Sequence, residues 1–264
     1  MARLPIFFGL HMQAIVILPT YNERDNLPAV ISRIRAAVPE VHILVVDDNS
    51  PDGTGVLADE LAAAHAGVVR TLHRACKAGL GAAYIAGFQY ALDHGYDVIL
   101  QMDADLSHRP EYLPEFLEHI QHSDVVIGSR YVNGINVVGW DFSRLLLSKF
   151  ASLYVRVITG LPVTDATGGF KCWRRRALAS VDLSSVFSNG YLFQIETNYK
   201  AFRSGCRIHE SPIIFYERSA GRSKLNRGII VEAVFGVMKL RLQSLMDLVL
   251  RKGKTPEPVP NTGG

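Results

Sequence analysis

The chain has 264 residues, 48% of them hydrophobic and 20% charged, which is enough to bury one sizeable core. Its net charge of +3 is too weak to indicate a nucleic-acid-binding protein, and suits an anionic small substrate or an anionic membrane surface. The three cysteines are far apart and form no CxxC pair, which argues against a disulfide framework or a zinc site and indicates reduced thiols in the cytosol.

The first half of the chain predicts a sheet of buried parallel strands. Apolar runs typical of strands buried on both faces occupy residues 14–18, 43–46, 98–102 and 125–127. Segments with helical spacing of apolar residues occupy 25–38, 53–66, 81–94 and 110–122. This alternation predicts an α/β fold with a Rossmann-like, mostly parallel central sheet flanked by helices.

The second half is less regular and ends in a long amphipathic helix. We expect helices at 143–159 and 193–203, then a strand at 208–215. The last helix contains charged residues and is too polar to cross a membrane. Its apolar side would lie on an anionic membrane surface, on the domain itself or on a second copy. The predicted segments are a leader (1–13), an α/β domain (14–226), a C-terminal amphipathic helix (227–252) and a disordered tail (253–264).

Polar clusters follow three of the predicted strands. The first strand leads into PTYNE, the second into DDNSPDG, and the strand at 98–102 into Asp103-Ala104-Asp105. Ligands of open α/β sheets bind at the carboxyl ends of the strands, and clustered carboxylates repel each other unless a cation or hydrogen-bond donors offset them. The pattern therefore predicts a nucleotide held with Mg²⁺ or Mn²⁺, the alternative being a solvated acidic turn.

Other motifs were weighed and set aside. The glycines at Gly79 and Gly81 lack the third glycine of a dinucleotide fingerprint and do not follow the first strand, and the P-loop pattern is absent. His108, beside the acidic motif, is interpreted as a hydrogen-bonding structural residue rather than a ligand or base. Trp140, Trp173 and Tyr191 could contact substrate, but they are interpreted as aromatic residues that pack in the core.

Several longer runs resemble a known family. PTYNERDNLP, VVDDNSPDGT, GLGAAYIAGF, QMDADLSHRPEYLPEF and GSRY resemble inverting glycosyltransferases of family 2 with the GT-A fold. GWDFSRLLLSKFAS, DATGGFKCWRR, GYLFQIE and ERSAGRSK resemble the dolichol- or polyprenol-phosphate mannosyltransferases. The resemblance covers about residues 14–226 and implies mannosyl transfer from GDP-mannose to polyprenyl (dolichyl) phosphate, at the cytoplasmic face of a membrane, giving polyprenyl-phosphate β-D-mannose.

The resemblance also implies roles for individual residues. The nucleoside would contact Pro19, Tyr21, Glu23, Val46 and Asp48. The diphosphate would lie at Asp103, Ala104 and Asp105, with Asp103, Asp105 and Ser107 as metal ligands. Arg130 would contact the sugar phosphate, Arg144 and Ser148 the acceptor phosphate, and Arg218 and Lys224 would close over the nucleotide. The implied catalytic set is Asp105, Arg130, Arg218 and Lys224.

The chemistry of the implied acceptor simplifies the reaction. A phosphate monoester, with a second pKa of about 6, is already an anionic nucleophile at neutral pH and needs no catalytic base. Three alternatives stay open: transfer from a UDP-sugar, a non-catalytic sugar-nucleotide-binding protein, and a membrane adaptor acting through the last helix. A membrane-protein partner or a homo-oligomer is also compatible with the sequence.

Overall fold

A computed structural model describes residues 12–217 and the helix 227–252. The strands are β1 (Ala14–Thr20), β2 (His42–Asp47), β3 (Val69–His73), β4 (Val98–Gln101), β5 (Val125–Ser129), β6 (Val137–Val138), β7 (Lys171–Arg174), β8 (Ile208–Pro212) and β9 (Phe215–Tyr216). The helices are α1 (Leu27–Ala37), α2 (Thr54–Ala64), α3 (Leu80–Asp93), α4 (Leu113–His119), α5 (Phe142–Thr159), α6 (Arg175–Ser180), α7 (Gly190–Arg203) and α8 (Arg227–Lys252).

A seven-stranded sheet forms the centre of the fold, in the order β3-β2-β1-β4-β7-β5-β8. The pairs from β3 to β4 are parallel, as is the pair β5–β8, whereas β7 runs antiparallel between β4 and β5. The mostly parallel sheet flanked by helices is therefore confirmed. Because β2, β1 and β4 are neighbours, their polar carboxyl ends meet at one edge, as the sequence predicted.

Both faces of the sheet are covered. Ile15 and Ile17 of β1 belong to one buried cluster, and Val16 and Leu18 belong to the other. This two-sided burial explains why the strand is a continuous apolar run instead of an alternating one. Helix α3 packs closely on β1: a Cβ at Gly87 would lie 2.4 Å from Cγ2 of Ile17, so this position requires glycine.

Several short or partly polar elements, among them β3, β7 and α6, were not predicted, and two predicted elements differ in the structure. β3 is a partly buried edge strand, β7 contains polar residues, and α6 spans six residues, so none has a strong apolar period. The strand expected at 208–215 is two strands: β8 ends at Pro212, and β9 pairs with β6 instead of with the central sheet. The helix expected at 110–122 is a 3₁₀ turn followed by α4.

The predicted segment boundaries stay predictions. Residues 1–11 of the predicted leader, residues 218–226 and the predicted tail (253–264) lie outside the described residues. Within the described part of the chain, no helix combines the length and apolar character needed to cross a membrane.

Candidate active site

A cavity of about 460 Å³ lies at the carboxyl ends of β1, β2 and β4. It brings together these residues singled out from the sequence: Pro19, Tyr21, Glu23, Asp48, Asp103, Ala104, Asp105, Ser107, Arg130 and Arg144. Ser148 instead lines a second, adjoining cavity. Val46 lines neither, because its side chain is fully buried in the core beside Gly87. Arg218 and Lys224 lie outside the described residues.

The chain reverses sharply where each of the three strands ends. A residue with left-handed backbone conformation follows each of them: Asn22 (φ 61°), Asn49 (φ 57°) and Leu106 (φ 64°). Asparagine tolerates this conformation, but for leucine it costs about 1–3 kcal/mol. The turn at Leu106 brings the next residue, Ser107, within hydrogen-bond distance of the Asp105 carboxylate.

The carboxylate of Asp105 is held by the residue after that turn. Both the backbone N–H and the hydroxyl of Ser107 donate to Oδ1 of Asp105, at 3.0 and 2.5 Å. Ser107 is itself buried. These contacts orient Asp105 and leave its other oxygen, Oδ2, outside this pair of hydrogen bonds. The geometry makes Ser107 a support for the Asp105 carboxylate.

Asp103 is fixed by two side chains. The hydroxyl of Tyr84 donates to its Oδ1 at 2.7 Å, and its backbone N–H donates to Nδ1 of His108 at 3.0 Å. Burial raises the pKa of Tyr84 well above its ordinary value, and the charge of Asp103 raises it further, so this hydroxyl remains a donor at neutral pH. His108 stacks on Phe170, in agreement with the structural role expected for it.

The acidic motif fits a cation that is shared with a ligand. No group of three His, Cys, Asp or Glu side chains among the described residues is arranged to hold a metal ion by itself. Asp103 and Asp105 both line the cavity and together offer carboxylate oxygens. Mg²⁺ and Mn²⁺ are commonly bound by one or two carboxylates together with substrate phosphates and water, which is the arrangement this motif supports.

The charges of the acidic residues at the end of β2 are offset by hydrogen-bond donors and a cation of the protein itself. Asp47 accepts hydrogen bonds from the hydroxyls of Thr20 and Ser50, at 3.0 and 2.6 Å. Asp48 forms an ion pair with Arg74 at 2.5 Å. Asp47 is therefore structural, and the repulsion expected between the three strand ends is relieved at β2 without a bound cation.

Lys77 was missed by the sequence reasoning. It lines the larger cavity, and its ammonium group lies 3.6 Å from the centre of the Tyr21 ring. A cation placed over an aromatic face is attracted by the ring, which holds this exposed lysine at the cavity wall. In the sequence, Lys77 is a basic residue two positions before Gly79, in a segment without a metal-binding or phosphate-binding motif, so nothing there indicated a role.

Arg130 is locked by a buried carboxylate. Nε and Nη2 of Arg130 donate to the two oxygens of Asp165 at 2.7 and 2.6 Å, and Nη2 also donates to Thr167 at 2.8 Å. Burial alone would lower the pKa of Arg130, but the charge of Asp165 outweighs it and raises the pKa above its ordinary value. Asp165 lies in the sequence run DATGG, where no local signal indicated a role for it.

Arg144 has a different environment, at the start of α5. Its Nη1 pairs with Glu217 at 2.5 Å, and its guanidinium lies 4.2 Å from the ring centre of Trp140. The Trp140 ring also faces Arg130, at 5.2 Å. Trp140 is thus close to both guanidinium groups and, like Tyr191, lines both cavities, which corrects the interpretation of these two residues as core packing. Among the described residues, Nε of Arg144 and Nε1 of Trp140 are buried donors without an acceptor.

The second cavity is smaller, about 260 Å³, and largely apolar. It lies between α5 and α8, with Leu147, Phe150 and Tyr154 on one side and Val234 and Val237 on the other. The two cavities meet, and they share these residues: Arg130, Trp140, Arg144, Thr167, Tyr191 and Ala233. A cavity lined by acidic and basic side chains therefore continues into a more apolar one, and two arginines lie where they meet.

Comparisons with known proteins identify the family to which this chain is similar. A model of the family described as Glycosyl transferase family 2 matches residues 15–181. The polyprenol monophosphomannose synthase of Mycolicibacterium smegmatis is 49% identical over 236 residues, covering 89% of each chain. The undecaprenyl-phosphate mannosyltransferase of Micrococcus luteus is 49% identical over 228 residues, covering 86% of this chain and 93% of the relative.

A solved structure supports the same fold. The glucosyl-3-phosphoglycerate synthase from Mycobacterium tuberculosis, in complex with Mn²⁺, uridine diphosphate and glucosyl-3-phosphoglycerate, has a TM-score of 0.60. The sequence identity is 19%, and the match covers 94% of this chain and 82% of that one. At this identity the likeness shows the fold alone, which is the GT-A fold expected from the sequence. The chain belongs to glycosyltransferase family 2.

Proposed function

We propose that the protein transfers mannose from GDP-mannose to a polyprenyl phosphate, giving polyprenyl-phosphate β-D-mannose. One observation carries the proposal: a cavity lined by charged side chains, with a carboxylate pair, joins an apolar cavity at Arg130 and Arg144. A sugar nucleotide matches the larger cavity, and a phosphate on an isoprenoid chain matches the junction and the apolar cavity. The names of the two relatives support this choice of sugar and acceptor.

The donor half of the site uses the ends of β1, β2 and β4. In this proposal Tyr21 and Asp48 border the nucleoside, and Lys77, on the wall of the cavity, contacts the diphosphate. Asp103 and Asp105 would hold a divalent ion that neutralises charge on the departing diphosphate. The fixed orientation of both carboxylates, through Tyr84 and Ser107, provides a site whose polar groups are already arranged before substrate binds.

The acceptor half supplies a nucleophile that is already charged. The phosphate would lie at the junction, where Arg144, Ser148 and the indole N–H of Trp140 provide donors. Because a phosphate monoester is an anion at neutral pH, no side chain needs to remove a proton from it. An acceptor oxygen attacking the anomeric carbon from the side opposite the diphosphate inverts the configuration of the sugar.

The same proposal gives the protein's location and partners. A polyprenyl phosphate resides in a membrane, so the enzyme would act at the cytoplasmic face, as a peripheral protein. The apolar cavity between α5 and α8 would receive the first isoprene units. A membrane-protein partner or a second copy of the chain is compatible with this arrangement and is not required by it.

A transfer assay tests the function. Purified protein is mixed with radiolabelled GDP-mannose, a short polyprenyl phosphate and Mg²⁺ or Mn²⁺, and the label extracted into organic solvent is counted. We expect label in the organic phase, none when EDTA is present, and an Asp59→Asn control, altered at an exposed carboxylate on α2, that behaves as the wild type. A preference for UDP-glucose over GDP-mannose, or a product with retained configuration, would contradict the proposal.

A further inference from the structure

Helix α5 carries a stripe of exposed apolar side chains on its outer face. The stripe consists of Phe142, Leu146, Phe150, Leu153 and Val157. Spacings of three and four residues place them along one side of the helix, and the two end residues are 76% and 71% exposed. The opposite side of the helix packs into the protein. Soluble proteins rarely expose so continuous an apolar surface, which marks an interaction site.

The charged residues of α5 all have the same sign. They are Arg144, in the active site, and Lys149 and Arg156, which are exposed and seven residues apart along one edge of the stripe. Acidic residues do not occur between 142 and 159. An apolar stripe edged by basic residues complements an anionic lipid surface, where apolar side chains enter the acyl boundary and cations meet the headgroups.

The surface continues across α8. Phe235, Met238, Leu242 and Met246 are exposed on this helix, again at spacings of three and four residues. The two helices touch, and the hydroxyl of Tyr154 donates to the backbone carbonyl of Val234. The exposed faces of α5 and α8 therefore flank the apolar cavity that lies between the helices.

We propose that this surface, the stripe on α5 together with the exposed face of α8, lies on the interface of an anionic lipid bilayer. The proposal rests on the proposed function for its purpose. A polyprenyl chain cannot cross water to reach the apolar cavity, so the mouth of that cavity has to face the bilayer. Leu147 and Phe150 both line the cavity and are exposed, which connects the cavity to the stripe.

Sedimentation with lipid vesicles tests the proposal without any substrate. The full chain is mixed with sucrose-loaded vesicles of phosphatidylcholine with or without phosphatidylglycerol. We expect binding that requires the anionic lipid and weakens as salt is added. Replacing two stripe residues that line neither cavity, Phe142→Ser with Val157→Ser, is expected to lower binding about tenfold or more, because less apolar surface enters the interface.

Matched variants separate this effect from a general loss of apolar surface. Val56 on α2 is 65% exposed, so Val56→Ser removes the same side chain as Val157→Ser from a different face and should bind vesicles as the wild type does. The double variant Lys149→Glu with Arg156→Glu should also lose binding. Because it leaves the apolar stripe unchanged, it tests the proposal even if the serine variant does not fold.

Three outcomes would overturn the proposal. The first is a wild-type protein that does not bind anionic vesicles. The second is binding only to native membranes that contain protein, which would assign the surface to a membrane-protein partner. The third is a dimer in analytical ultracentrifugation that the serine variant converts to monomer. Because no sugar nucleotide or polyprenyl phosphate is present, these results do not depend on whether mannosyl transfer is observed.

Discussion

The buried pair of Asp165 and Arg130 offers the sharpest test of how this site is built. Asp165 is fully buried and Arg130 is 5% exposed. Both oxygens of Asp165 accept hydrogen bonds from Arg130, including one from its backbone N–H at 3.0 Å. The substitution Asp165→Asn keeps the shape of the side chain but removes the charge and turns one acceptor into a donor.

The expected loss follows from this geometry. Whichever way the amide is oriented, its NH₂ group faces an N–H of the guanidinium, so one of the two short hydrogen bonds becomes a contact between donors. Removing one partner of a buried ion pair costs about 3–5 kcal/mol, because the other charge stays buried without compensation. Since domains of this kind unfold at a cost of about 5–15 kcal/mol, the variant should fold with a clearly reduced margin.

Stability and activity are both measurable. Urea unfolding should show the loss of about 3–5 kcal/mol for Asp165→Asn. The surface control Asp59→Asn, whose partner His73 is more than half exposed, should lose about 1 kcal/mol or less. Under conditions where the variant is folded, the rate of transfer should fall about a hundredfold. A displacement of Arg130 by about 1 Å would break its proposed contact with the sugar phosphate.

The dependence on pH provides an internal check. Burial alone would raise the pKa of Asp165, but the Arg130 guanidinium outweighs it and holds the pKa below its ordinary value. The stabilisation is therefore complete above the unfolded-state pKa of about 3.9 and is lost as the pH falls through the lower folded-state pKa. The difference between wild type and Asp165→Asn should be constant near neutral pH and shrink only in strong acid. A variant of unchanged stability and activity would refute the assignment of Asp165.

Three other substitutions have distinct expected effects. Asp105→Asn should reduce transfer by about 10²-fold or more and weaken Mn²⁺ binding measured by electron paramagnetic resonance with GDP present, and unchanged metal binding would exclude this carboxylate as a ligand. Glu217→Gln should lower KM for polyprenyl phosphate about two- to fivefold, because the Glu217 carboxylate no longer competes with the acceptor phosphate for Arg144. A partly exposed ion pair of this kind contributes about 1 kcal/mol. A higher acceptor KM would instead make Glu217 a support for Arg144. Lys77→Met should raise KM for the donor about five- to tenfold with little change in kcat, since Lys77 lines the cavity proposed to hold the diphosphate and an exposed ion pair contributes about 1 kcal/mol. An unchanged donor KM would exclude that contact.

The sequence predicted the part of the fold whose signals are local. The run at 14–18 is apolar because both faces of β1 are covered, and the polar ends of β1, β2 and β4 meet because these strands are neighbours. β7 was missed for the opposite reason. Its insertion between β4 and β5 is decided by pairing with distant strands, and its residue Lys171 is polar although fully buried.

The same distinction applies to the site. Asp103 and Asp105 could be proposed because they follow a strand within a short motif. Asp165 could not be assigned a role from the sequence, since its partner Arg130 is 35 residues away and only the folded chain shows their contact. Val46 was placed at the nucleoside by resemblance, but the structure directs its side chain into the core. A backbone contact with a ligand is the role that remains open to this residue.

The two arginines at the junction of the cavities differ in how firmly the protein holds them. Arg130 is locked by a carboxylate that is fully buried, so its position is set before any substrate binds. Arg144 is paired with Glu217, whose side chain is 41% exposed, so water or an incoming anion can replace that carboxylate at little cost. Under the proposed function, Arg130 would be a fixed contact for the phosphates of the donor, and Arg144 would exchange Glu217 for the phosphate of the acceptor. We therefore expect the polyprenyl phosphate, rather than the sugar nucleotide, to displace Glu217 as it binds.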